Sequence, residues 1–182
     1  MKKLVIVLLI LMIPMAVFAK SDFRLGPTVY LSHPIIQDST VDPAGLDLSD
    51  FSFGADLRLK LSIFHLQGMA LFTPGAAAIA LPASTDIFID AGLAFDILFL
   101  RLGLGVGPNF SIFFGQPNDI DPYSMGANAK ATLDFRFNRF SIGVNYLLQF
   151  DFDLDNPGGS ILSADKTQGL FGIDFLIRLG KK

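Results

Sequence analysis

Asp56, Arg58 and Lys60 stand at alternate positions, so an extended backbone puts a carboxylate, a guanidinium and an ammonium on one side. Their chemistry is ion pairing: shielded from water, such groups must be paired or wetted. Arg24, Asp90, Asp96, Arg101, Lys130, Asp134, Arg136, Asp174 and Arg178 have the same setting, a charge in a row of small or polar residues. Together these twelve make a candidate charge network. It reads either as a salt-bridge plug or as a polar permeation path or gate.

A second group is Asp151, Asp153 and Asp155, which opens like a calcium loop. An EF-hand needs Glu at its twelfth position; Leu162 stands there. A looser cation site is the remaining reading, beside a plain solvated acidic loop. No other metal or cofactor set is expected. The two histidines offer little catalysis. His33 is followed by Pro34-Ile35 and His65 by Leu66-Gln67, and Ser32-His33 alone is too little for a triad. The chain is not expected to be an enzyme.

These residues need strands to hold them. From Phe51 to Leu61 every odd position is apolar and every even one small, polar or charged. Period two means a strand with two unlike faces. Eight such stretches occur, near 23–31, 51–61, 64–72, 86–97, 98–110, 127–137, 140–150 and 170–179. Tight turns near Ser62-Ile63, Ile97–Phe99 and Asn138-Arg139 join the second to third, fourth to fifth and sixth to seventh. A two-residue hairpin flips the parity of the apolar positions, as in Leu61 then Phe64 and Phe137 then Phe140. The other connections, near 32–50, 73–85, 111–126 and 151–168, are longer and rich in Pro, Gly, Asp and Ser.

Composition says where such strands could sit. Hydrophobic residues make up 51% of the chain and charged residues 17%, too little charge for a water-facing surface. After the first residues no long apolar run could form a spanning helix. A closed β-barrel satisfies every backbone group in a bilayer and leaves no edge. A soluble barrel of carrier type is the rival. The polar rows, rich in Gly, Ala, Ser and Asn, suit a narrow interior, and rows of Phe, Leu and Ile suit lipid. All 17 acidic residues are Asp, a residue of loops and turns. Cys is absent, so no disulfide staples the fold. Lys2 and Lys3, the apolar run from Leu4, and Val17-Phe18-Ala19 read as an export signal cleaved after residue 19. That leaves residues 20–182 as one domain.

On these features the chain resembles the small outer-membrane β-barrel proteins of double-membraned bacteria, the OmpA/OmpX-like and OmpW-like barrels. Gly103-Leu104-Gly105-Val106-Gly107 is similar to strand sequences common among them. With 19 Phe, 3 Tyr and no Trp, this chain would build its girdles from Phe. The resemblance implies an all-β, eight-stranded antiparallel up-and-down transmembrane barrel in the outer membrane. An even strand count would put both termini at the periplasmic, short-turn end and the long loops outside.

Those loops carry Asp38, Asp42, Asp47, Asp50, Asp119, Asp121, Asp151, Asp153, Asp155 and Asp165 against Lys166. Such acidity would repel nucleic acid. Loop two, Pro74 to Ala83, is unusually apolar and could fold over the mouth, meet lipid or a partner, or line a hydrophobic entry. Two functions follow as expectations. One is a monomeric barrel in outer-membrane lipid, with a structural or surface-interaction role through its acidic loops. The alternative is a narrow porin-like channel for small or hydrophobic solutes.

Overall fold

Eight two-faced strands can hide one set of faces only by curling until the first meets the last. In the computed structural model, which describes residues 21–32, 47–75, 82–115, 122–151 and 167–179, they do so. The strands are β1 (Asp22–Ser32), β2 (Phe51–Leu61), β3 (Phe64–Thr73), β4 (Ala83–Ile97), β5 (Leu100–Phe114), β6 (Tyr123–Phe137), β7 (Phe140–Asp151) and β8 (Thr167–Leu179). Each pairs antiparallel with the next, and β8 pairs with β1 to close the barrel. The proposed signal segment and most acidic loop residues lie outside the described residues. Of the loop acids, Asp47 and Asp50 cap a short 3-10 turn before β2.

The register sets the bore. Pairings lead once around from Asp22 through Lys60, His65, Gly92, Gly105, Lys130, Leu147 and Leu170, and return to Ser32, ten residues up the same strand. With ordinary strand spacings, that stagger tilts the strands by roughly 40° and gives a backbone radius of about 8 Å. An interior this narrow is filled by side chains.

The exterior is inverted relative to a protein in water. Leu25, Val29, Phe53, Leu57, Leu66, Phe72, Ile89, Phe95, Leu104, Val106, Phe135, Ile142, Phe171, Ile173, Phe175 and Ile177 all stand exposed. Arg24, Asp56, Arg58, Asp90, Arg101, Lys130, Asp134 and Asp174 are buried. Among the described residues no helix is long and apolar enough to cross a membrane. Near the strand ends, where Phe girdles are expected, Phe72, Phe137, Phe140 and Phe171 are exposed, and Phe23, Phe51, Phe64, Phe110 and Phe150 are half-buried.

Strand limits differ from expectation in two ways. β5 begins at Leu100 instead of Leu98, because Leu98-Phe99 is the turn and Leu98 takes φ 54°. Several strands also run further at the loop end: Ser111 pairs with Ser124 and Ile112 with Tyr123, where composition suggested loop. The tight turns are pinned from the side. Carbonyls of Ile63, Phe99 and Arg139 accept from the amides of Ala94, Arg136 and Arg178 at 2.7–2.8 Å.

Inside, aromatic volume is accommodated by missing side chains. The buried Tyr30 ring lies over Gly172, its cross-strand neighbour, and a Cβ there would meet ring atoms at 2.4–2.6 Å. Gly172→Ala should therefore cost roughly 1–3 kcal/mol by overpacking, read as a lower urea midpoint for unfolding from detergent or lipid.

Candidate functional site

Among the described residues charged side chains concentrate in the lumen, where they stack in tiers along the barrel axis. At the turn end, two carboxylates hold five bases. Asp22 accepts from Arg24 at 3.0 Å and Arg101 at 2.6 Å, and pairs with Arg178 at 3.2 Å. Asp96 holds Lys60 at 2.9 Å, Arg101 at 2.8 Å and Arg136 at 2.9 Å.

The middle tier is centred on Arg58. Its guanidinium donates to Asp56 at 2.8 Å, to Asp134 at 2.6 Å, to Asn145 at 3.0 Å and to Asp174. Asp56 also accepts from Gln67 at 2.5 Å and Lys130 at 3.1 Å. Local register explains how three carboxylates reach one side chain. Asp134, Gly143 and Asp174 stand side by side on β6, β7 and β8. Gly143 leaves the space between them open, and both carboxylates lean over it; a Cβ would meet their oxygens at 2.6 Å.

Above lies an apolar tier. Tyr30, Met69, Leu71, Phe88, Leu147 and Leu170 form one buried cluster inside the barrel. Lys130 joins the tiers: its Nζ lies 3.5 Å from the Met69 sulfur and 5.4 Å from the Tyr30 ring centroid, in cation–π range. Toward the loop end come the buried, uncharged Ser52, Ser84, Asn109, Ser111, Asn128 and Gln149, with one inward carboxylate, Asp86, that accepts from Ser84 at 3.2 Å.

All twelve network residues read from the sequence are on the inward row, and eleven sit in the ion pairs above. Asp90 stands apart. It is buried near Asn128 and Lys130, and neither oxygen makes a hydrogen bond of good geometry. Sequence reading missed Asp22, the hub of the turn-end tier. It begins β1 one residue earlier than the apolar pattern suggested, but its spacing of two from Arg24 was the available signal. Gln67 and Asn145 lie on the polar rows, but alternation alone does not mark them as partners of the charges. The apolar tier was missed because Met69, Leu71, Phe88, Leu147 and Leu170 look like lipid-facing residues until parity is followed strand by strand.

Asp151 ends β7, while Asp153 and Asp155 lie outside the described residues. Among the described residues no cluster of His, Cys, Asp or Glu could hold a metal. His65 is buried beside Thr132 and the bare Gly103, with no hydrogen bond to Nε2.

Buried pairs are costly to break, because removing one partner strands the other charge. Arg58→Ala should lower unfolding stability by roughly 3–5 kcal/mol. Asp90→Asn, outside the pairs, should change it by less than about 1 kcal/mol. Parallel urea titrations of the two refolded variants would check the contrast.

No protein-family model and no curated protein matches the chain by sequence. Solved structures do. The N-terminal β-barrel domain of OprF from Pseudomonas aeruginosa is similar with a TM-score of 0.58, over 88% of this chain and 98% of that one, at 12% identity. Neisserial surface protein A (NspA) aligns over 87% of this chain and 96% of its own, with a TM-score of 0.48 and 9% identity. With the closed antiparallel sheet and the apolar exterior, the first likeness establishes the fold: an eight-stranded β-barrel of the outer-membrane type.

Proposed function

We propose that this chain is an integral outer-membrane protein whose barrel is a sealed scaffold and whose long acidic loops do its work. That work is structural or a surface interaction. One observation carries the reading: the barrel is apolar outside and filled inside. The exposed Leu, Ile, Val and Phe rows suit hydrocarbon, and their burial in lipid is what makes a barrel with charged contents stable. The short turns would face the periplasm and the loops the outside, as in barrels of this type. The surrounding partner is lipid; a further partner would meet the loops.

The tiers argue against free passage. A solute would have to displace the salt-bridged Arg58 layer and then the packed ring of Tyr30, Phe88 and Leu147. The channel reading therefore requires these layers to move.

Two measurements test the proposal. In a planar bilayer, the refolded protein should show no conductance steps above background, while Phe88→Ala with Leu147→Ala should introduce leak. Regular steps from the unaltered protein, with heat-modifiable gel mobility proving it folded, would favour the narrow channel. Separately, Leu104 stands 68% exposed on β5. If its surroundings are hydrocarbon, Leu104→Arg should reduce folding stability in vesicles by roughly 2–4 kcal/mol. An unchanged stability would favour a soluble barrel.

A further inference from the structure

We infer that the turn-end mouth of the lumen is a binding site for a phosphate-class oxyanion. Among the described residues five cationic side chains, Arg24, Lys60, Arg101, Arg136 and Arg178, converge there on two carboxylates, Asp22 and Asp96. Among the described residues every ion pair at this end uses one of those two acids, so these five bases outnumber their carboxylate partners by three. Like charges held this close in a half-buried place repel, and the arrangement is stable only with further negative charge or water.

The donors needed to hold an anion are also present. Arg24 is 2% exposed, and its Nη1 has no hydrogen-bond partner. The Arg136 Nε is likewise buried and unpaired. Guanidinium groups present planar paired donors that match phosphate oxygens.

The middle tier does not supply the missing charge. It has an acidic excess, but Asp56, Asp134 and Asp174 are already bound to Arg58, and Asp56 to Lys130 as well. Asp90 is buried near Lys130 and Asn128, outside the turn-end set.

Access is graded in the way a mouth requires. Arg136 and Arg178 side chains are 19% and 15% exposed and Asp96 33%, whereas those of Arg24 and Arg101 are 3% and 2%. An oxyanion would enter past Asp96, meet Arg136 and Arg178 at the rim, and reach the unpaired Arg24 donor below. A dianion suits an excess of three better than chloride does. The phosphate could be free in solution or borne on a lipid headgroup at the adjoining membrane surface. The inference does not depend on what the loops do.

The test uses the full refolded barrel in a nonionic detergent, in two arms. One titrates inorganic phosphate by calorimetry and phosphorus NMR at constant ionic strength. The other titrates short-chain phosphatidic acid. Saturable binding in either arm is expected, and the responding arm tells the source. Arg136→Gln with Arg178→Gln should weaken it at least tenfold while heat-modifiable mobility stays normal. If the double variant fails to fold, Arg178→Gln alone should weaken binding at least threefold. No saturable binding in either arm, equal competition by chloride, or unchanged affinity in a folded variant would each overturn the site.

Discussion

Closure of the sheet with a ten-residue stagger is the constraint from which the rest follows. It gives every strand a neighbour on both sides, so the sheet has no free edge. It also fixes a bore of about 8 Å backbone radius. Everything on the inward rows must fit that bore, and its charges must find partners or water there. Everything on the outward rows is released from any polar duty. The inversion of ordinary burial, with Leu104 and Val106 exposed and Arg58 and Asp56 enclosed, is the direct result.

Within the bore, volume is matched locally and charge over the length of the lumen. Seven carboxylates (Asp22, Asp56, Asp86, Asp90, Asp96, Asp134 and Asp174) share the inward rows with the seven bases of the network. The balance is not uniform along the axis: bases predominate at the turn end, acids in the middle, and uncharged groups with the single acid Asp86 towards the loops. Glycines at 143 and 172 are where large or charged neighbours need room, for the Asp134–Asp174 pair and for the Tyr30 ring. The apolar tier above Arg58 separates the charges from the polar loop end, which keeps the ion pairs in a poorly solvated place and so strengthens them.

Much of this was legible before any coordinates. β2 spans Phe51–Leu61 as its alternation indicated, and parity flips at Ser62-Ile63 and Asn138-Arg139 marked two hairpins. Those signals are local, since period two and turn chemistry act over a few residues. The ends were less clear, because strands such as Leu100–Phe114 continue into polar sequence that pairs only when its partner is beside it. Asp22 was missed for the same reason: a strand's first residue has no apolar neighbour before it to declare its face.

By itself the sequence determined which residues share a face, and therefore that twelve charges would be enclosed together while Phe, Leu and Ile lined the outside. Only the tertiary structure decided who pairs with whom. Arg58 meets Asp134 and Asp174 across 76 and 116 residues of chain. Stagger and tilt set those encounters, and no local pattern encodes them. It also decided that Met69, Leu71, Phe88, Leu147 and Leu170 seal the lumen instead of facing lipid. Apolar character is the same on either side of a barrel wall, and the pairing register alone says which side a residue is on.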